Sequence, residues 1–327
     1  MPAFPKPTFG FVYVIQDEIA ALREYRDNKE GRTIPEKLKD RVLVATWNIA
    51  NLGVQERRDC DYQILAEIVS WFDIVALQEV HDNLMGLRGI QKYLPSSYKV
   101  IFSDKAGNDE RMAFIFDSGK PVVLEKVGEV AVPPKDHKYI QLPGIDRIFS
   151  GFDRNPYLVS FKVGKFKFVV VNAHFYFGED TDDDRERRSL EAYATARWSD
   201  LRRKSKHAYV NKILVLGDFN LPKVEPGDHI YTALRRRGLR KPKHSARIAS
   251  NIANDKDYDQ IMFFPGQVKG YYTGNTGIFD FDGALFRELW EALVKKHGKK
   301  IGSVRFRTYL RYYISDHRPL WAEFRTQ

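Results

Sequence analysis

Cysteine is almost missing from this chain: Cys60 stands alone among 327 residues. A lone thiol excludes an intrachain disulfide and fits a reducing compartment. Long apolar runs are missing too; none approaches the roughly 20 residues that a membrane-spanning helix needs. Met1 to Val14 hold one lysine, prolines at 2, 5 and 7 and no apolar core, which is not the pattern of a secretory signal. A cytoplasmic protein with no membrane partner is the expectation. No repeat period, low-complexity tract or linker interrupts the chain. The length then reads as an N-terminal helical appendage, residues 1–40, before one large domain, residues 41–327.

What is present is a core and a surplus of positive charge. Hydrophobic residues make up 43% of the chain and aromatics 13%, enough for a sizeable interior, and the formal net charge is +10. Such a balance makes a polyanion a natural partner. The basic residues cluster at 202–206, 235–243 and 295–300, and the middle run is the best polyanion candidate because it follows a helix after Asp218 and Asn220. Contacts from such runs supply affinity without sequence specificity.

Apolar periodicity mixes strands and helices throughout, an α/β (α+β) pattern. Strands are expected at 42–48, 73–78, 98–102, 111–117, 122–130, 157–162, 166–173, 212–217, 258–263, 304–313 and 319–325. Helices are expected at 17–29, 62–71, 82–93, 182–205, 228–237 and 283–296, with a loop over 131–150. The three aspartates that open the fourth of these helices and the basic residues that end it suit the helix dipole.

Five of the apolar runs end in groups suited to phosphate chemistry. Asn48, Glu79, His174, the pair Asp218 and Asn220, and the pair Asp316 and His317 each follow such a run. Any one of them is an ordinary polar strand end, and a lone histidine is more often structural than catalytic. Five together are much harder to dismiss. Strand alternation turns Asp218 and Asn220 to one side with Phe219 packed inward. Two hard oxygen ligands there can hold a magnesium-type ion.

The motif set resembles that of the endonuclease/exonuclease/phosphatase superfamily, and within it deoxyribonuclease I. The matching segments are Ala45-Thr46-Trp47-Asn48-Ile49, Leu77-Gln78-Glu79-Val80, Asn172-Ala173-His174, Gly217-Asp218-Phe219-Asn220, Tyr258-Asp259-Gln260-Ile261 and Ile314-Ser315-Asp316-His317-Arg318-Pro319. They occur in family order and span nearly the whole chain. The resemblance implies a four-layer α/β/β/α sandwich of two mixed sheets. It implies Glu79 as the leading metal ligand with Asn48 beside it, and Asp218, Asn220 and Asp316 completing an oxygen-rich pocket for Mg²⁺ or Mn²⁺ rather than zinc. It makes His317 the candidate general base and His174 the candidate general acid, with Asp259 and Glu110 as their carboxylate partners. One metal or two, and either order of proton transfer, fit the same residues.

Arg154, in Asp153-Arg154-Asn155-Pro156-Tyr157, resembles a phosphate-contacting arginine, and Arg111 follows the His-pairing glutamate. Departures from the family pattern are as informative. Ala50 stands where apurinic endonucleases carry an acid, and His174 where they carry tyrosine, which disfavours base-excision repair. His81 and Asn108 replace an arginine and a tyrosine that read the minor groove in deoxyribonuclease I, so duplex preference is in question while phosphodiester cleavage is not. His81 is either a substrate contact or a solvated loop residue.

The expected function is a Mg²⁺-dependent DNA endonuclease of low sequence specificity. The alternatives are an RNA-preferring nuclease and a phosphoesterase acting on a small-molecule or lipid-headgroup phosphate; a non-catalytic binding module would have lost ligands, and none is lost. Such a nuclease needs restraint, for which a regulatory protein partner, the segment 1–40 or low intrinsic activity would serve.

Overall fold

The computed structural model describes residues 4–179, 181–243 and 248–327. Helix α1 (Ile15–Asn28) is followed by β1 (Arg41–Leu52), α2 (Asp59–Ser70), β2 (Ile74–His81), α3 (Met85–Gln91), β3 (Tyr98–Phe102) and β4 (Glu110–Asp117). Next come β5 (Val122–Glu129), β6 (Tyr157–Val163), β7 (Phe166–His174), α4 (Asp182–Lys204), β8 (Ile213–Asp218) and α5 (His229–Arg235). The last elements are β9 (Asp259–Phe263), α6 (Pro265–Val268), β10 (Tyr272–Ile278), α7 (Arg287–Tyr313) and β11 (Leu320–Arg325).

The strands form a six-stranded sheet in the order β10-β11-β1-β2-β4-β3 and a five-stranded sheet in the order β5-β6-β7-β8-β9. Each has one parallel pair, β1 with β2 and β7 with β8, among antiparallel neighbours. The expected four-layer arrangement follows from period-two burial. Val42 and Val44 of β1 face the second sheet, where Val170, Leu214 and Leu216 meet them. Leu43, Ala45 and Trp47 face the other way, onto α2 and α7. On the second sheet, Val169, Val171 and Val215 turn outward beneath α4 and α5. Apolar residues on both faces of a strand are what a central layer requires. Truncating a side chain such as Phe114, fully buried between the sheets, would cost about 3–5 kcal/mol.

One expected strand is a helix. Residues 304–313 alternate superficially, but the buried positions are Phe306, Tyr309, Leu310, Tyr312 and Tyr313, while Val304 is 51% exposed. That spacing is helical, and the segment is the second half of α7, broken from the first at Gly298 with φ 78°. A strand was missed in turn: β10, Tyr-Thr-Gly-Asn-Thr-Gly-Ile, holds two glycines that weaken its pattern. The N-terminal residues lie against α2 and α7. Leu22 is fully buried, Arg23 pairs with Glu67 through two bonds of 2.7 and 2.9 Å, and Tyr13 donates to Asp61 at 2.8 Å.

Candidate active site between the two sheets

The carboxyl ends of the two parallel pairs, β1 with β2 and β7 with β8, open onto one place. On the second sheet the register is regular: His174 pairs with Asp218, and Asp218 with Asp259 across β9. Gly217 has φ 135°, and a Cβ there would lie 1.9 Å from the Ala173 carbonyl oxygen, so the closeness of β7 and β8 depends on glycine. On the first sheet the register breaks between Asn48 and Leu52, and again between Leu77 and Val80. Glu79 sits in that break with φ 57° and Asn51 with φ 49°. A left-handed glutamate inside a strand is strained, by about 1–3 kcal/mol. The bulge turns Glu79 toward Asn48, whose Nδ2 donates to Glu79 Oε1 at 2.9 Å and to Asp218 Oδ2 at 2.9 Å. The Asn51 amide donates to Glu79 Oε2 at 2.8 Å.

Both histidines are buried and each has one ring nitrogen on a carboxylate. His317 Nδ1 lies 2.8 Å from Asp259 Oδ2, and His174 Nδ1 lies 3.2 Å from Glu110 Oε2. Their Nε2 atoms face the same Asp218 oxygen, at 3.8 and 3.6 Å. Burial alone would lower the His317 pKa, but the charges of Asp259 and Asp218 outweigh it and raise it well above its ordinary value. Burial likewise opposes ionisation of Glu110 and Asp218. Both are nonetheless held below the ordinary carboxylate value, Glu110 by His174 and Arg154, Asp218 by His317 and His174. Glu79 is different: burial and the nearby Glu110 charge raise it.

The donor set suits a divalent cation. Glu79, His174 and Asp218 each offer a ligand atom within 4.8 Å of the others, as do Asp218, Asp259 and His317. Asn48 Oδ1 is buried with no hydrogen-bond partner among the described residues. Buried carboxylates converging beside an unpaired amide oxygen call for positive charge. Glu79, Asn48 and Asp218 are the residues that would hold it; Asp316 stands at the rim, 28% exposed and 4.0 Å from His317 Nε2.

Other expected residues are placed differently. Asn220 lies beyond β8 in a left-handed turn with φ 48°, not alternating along the strand. Its amide N–H donates to Asp218 Oδ1 at 2.8 Å and its Nδ2 to the Phe175 carbonyl at 2.7 Å. Arg154 is buried behind His174, donating to the His174 and Phe175 carbonyls and lying 3.4 Å from Glu110. Arg111 binds Asp82 and Asp104. His81 closes β2, part-exposed, opposite Glu110 in the register. Arg240 of the middle basic run lies elsewhere: it pairs with Phe263, at the end of β9 away from Asp259.

Supporting residues went unmarked in the sequence. Gln78 Nε2 donates to Asn172 Oδ1 at 2.6 Å, joining the two sheets beneath the site. Both lie inside the motif segments, which was the one available signal. Arg57, buried, donates to the Ala50, Ile314 and Tyr313 carbonyls and locks the Asn51 turn to the chain before Asp316. Arg188 and Glu191 are buried on α4. Arg188 donates to the Tyr176, Phe177 and Asn220 carbonyls, and Glu191 accepts the Asp153 and Tyr176 amides. Nothing in a charged helix sequence separates such residues from solvated neighbours.

No family model matches the chain. A curated deoxyribonuclease of Thioalkalivibrio sp. (strain K90mix) is 28% identical over 190 residues, which are 55% of this chain. They are 46% of the relative, so the chain spans about half the length of the curated protein it matches. Among solved structures, an endonuclease/exonuclease/phosphatase family protein of Bacteroides thetaiotaomicron superposes with a TM-score of 0.52 at 20% identity, covering 87% of this chain and 94% of that one. TDP2 of D. rerio, complexed with a single-strand DNA product, superposes with a TM-score of 0.55 at 14% identity, covering 88% and 99%.

Proposed function

We propose that this protein, whose fold is that of the endonuclease/exonuclease/phosphatase superfamily, is a metal-dependent phosphodiester hydrolase, a DNA endonuclease of low sequence specificity. The observation that carries the reading is the pair of imidazoles whose Nε2 atoms face one Asp218 oxygen at 3.6 and 3.8 Å, each with Nδ1 on a buried carboxylate. Phosphodiester cleavage needs a proton taken from the attacking water and a proton given to the leaving oxygen. Asp259 and Glu110 fix the orientation of the two rings, leaving each Nε2 free for one of those transfers. His317, in its neutral form, is assigned to take the proton from the water, and His174 to give one to the leaving oxygen. Asp218, between them, orients the water.

Glu79 and Asn48, with Asp218, would hold a divalent cation, which when bound would neutralise the phosphate charge. The net charge of +10 supports a polyanionic substrate. The deoxyribonuclease relative and the DNA-complexed structure favour nucleic acid over small phosphate esters.

The test is cleavage of supercoiled plasmid, linear duplex, single-stranded DNA and RNA by purified protein, with Mg²⁺, with Mn²⁺ and with chelator. Plasmid nicking that needs the cation and falls roughly 10²–10⁴-fold in His174→Ala is expected. Turnover of small phosphate esters alone would replace the nuclease by a phosphoesterase, and near-wild-type cleavage by the variant would remove His174 from the mechanism.

A further inference from the structure

A groove of about 230 Å³ opens beside His317, with the second half of α7 on one side and the 251–258 loop on the other. The helix presents Val304, Arg307, Thr308 and Arg311 to it. This spacing is one helix face, opposite the buried face of Phe306, Tyr309, Leu310 and Tyr313. Two guanidiniums one turn apart therefore line a cleft that reaches the site. Among the described residues neither has a carboxylate within ion-pairing distance, and Arg311 Nε is buried without a hydrogen-bond partner. The Phe4 ring, 4.2 Å from the Arg311 guanidinium carbon, holds that side chain in place.

Tyr258 supplies the second feature. Its ring lies 5.6 Å from the His317 imidazole at an interplanar angle of 32°, and Phe177 meets it edge-on at 6.4 Å. A half-buried aromatic face, two free guanidiniums and the proton-transferring imidazole thus line or border one small cleft.

We propose that this groove is a nucleotide subsite. It takes one unstacked nucleotide of a single strand next to the phosphate being cut, with the base on Tyr258 and a phosphate on Arg307 and Arg311. The inference rests on the nuclease reading and deepens it by naming the form of nucleic acid. Guanidiniums bind phosphate with paired N–H donors, and an aromatic face stacks any base. The volume is below the roughly 300–1,000 Å³ of clefts that bury a drug-sized ligand, so the groove seats one nucleotide unit at most.

The experiment is fluorescence anisotropy of a short labelled single-stranded oligonucleotide, and of its duplex, with the full chain in chelator so that no cleavage occurs. Wild-type protein is expected to bind the single strand more tightly than the duplex. Arg307→Gln and Tyr258→Ala each weaken single-strand binding about five- to a hundredfold, the first with unchanged melting temperature, whereas Tyr258→Phe retains it. Arg307→Gln also lowers the slope of log affinity against log salt by about 0.7. Variants that bind within twofold of wild type, or a duplex preference that they leave intact, overturn the subsite while the nuclease assignment stands. A wild-type protein that binds no strand and hydrolyses only small phosphate esters overturns the nuclease assignment and the subsite with it.

Discussion

His174 and Asp218 stand side by side at the ends of β7 and β8 in unbroken parallel register, whereas Asn48 and Glu79, at the ends of β1 and β2, meet where that register fails. The second sheet places an imidazole and a carboxylate by ordinary strand geometry. The first places the Asn48 and Glu79 side chains by a bulge with two left-handed residues, Asn51 and Glu79. Proton-transferring groups need only face one another, which regular pairing supplies. Oxygen ligands must converge around a point, and alternation along a strand cannot bring successive side chains to one side. Strain is concentrated where convergence is demanded, and helix α4 steadies the other side through buried Arg188 and Glu191.

The largest effect on this contrast should come from removing a clamp. Arg188→Met leaves the buried Asn220 carbonyl and the part-buried Tyr176 and Phe177 carbonyls without this donor. A loss of roughly 2–4 kcal/mol in urea unfolding is expected; a change within experimental error would mean the second sheet needs no such support. Cation binding probes the other sheet. Saturating Mg²⁺ or Mn²⁺, at about a hundred times Kd, should stabilise the fold by about 2.7 kcal/mol, and Glu79→Gln should remove most of that gain. Equal stabilisation of both proteins would place the cation away from the bulge.

Glu191 gives a pH signature to the second sheet's support. Burial raises its carboxyl from 4.5 to about 7. The unfolded chain therefore ionises first: the contribution is fully present below about pH 4.5 and is lost as pH rises through about 7. At about 1.4 kcal/mol per pKa unit, the decline is of order 1–3 kcal/mol. Glu191→Gln should flatten the stability profile across that window; profiles of equal slope would show that Glu191 is ionised throughout.

The smallest test addresses strain directly. At Glu79, glycine should give a protein about 1 kcal/mol more stable than alanine, because only glycine accepts φ 57° freely. At Ala173, in the regular β7, exchanging alanine for glycine should instead destabilise by roughly 0.5–1 kcal/mol. The same sign at both positions would erase the distinction between the sheets.

Much of the fold was legible in the order of residues because strands buried on both faces are apolar throughout, as 42–48 and 166–173 are, and their ends stand out when polar. Hence Asn48, Glu79, His174, Asp218 and His317 were visible as candidates before any coordinate. The resemblance also paired Asp259 with His317 and Glu110 with His174; in the structure these pairs lie 2.8 and 3.2 Å apart. Residues 304–313 misled because aromatic and β-branched residues satisfy two periods at once, and only burial of Phe306, Tyr309, Leu310 and Tyr313 separates them.

Tertiary structure alone decided the rest. The left-handed turn at Glu79 exists because neighbouring strands hold it there, and no local preference of glutamate announces it. Arg57, Arg188 and Glu191 look like surface charges in a list of residues; they become clamps when burial removes water and leaves backbone groups as their only partners. The sites of positive charge moved for the same reason. Arg240 is conspicuous in sequence yet pairs at the far end of β9, while Arg307 and Arg311, in a segment that reads as a strand, line the groove beside His317. Residue order carries type and period, which local physics can read. Which charges face one another across long separations depends on the packing of whole layers.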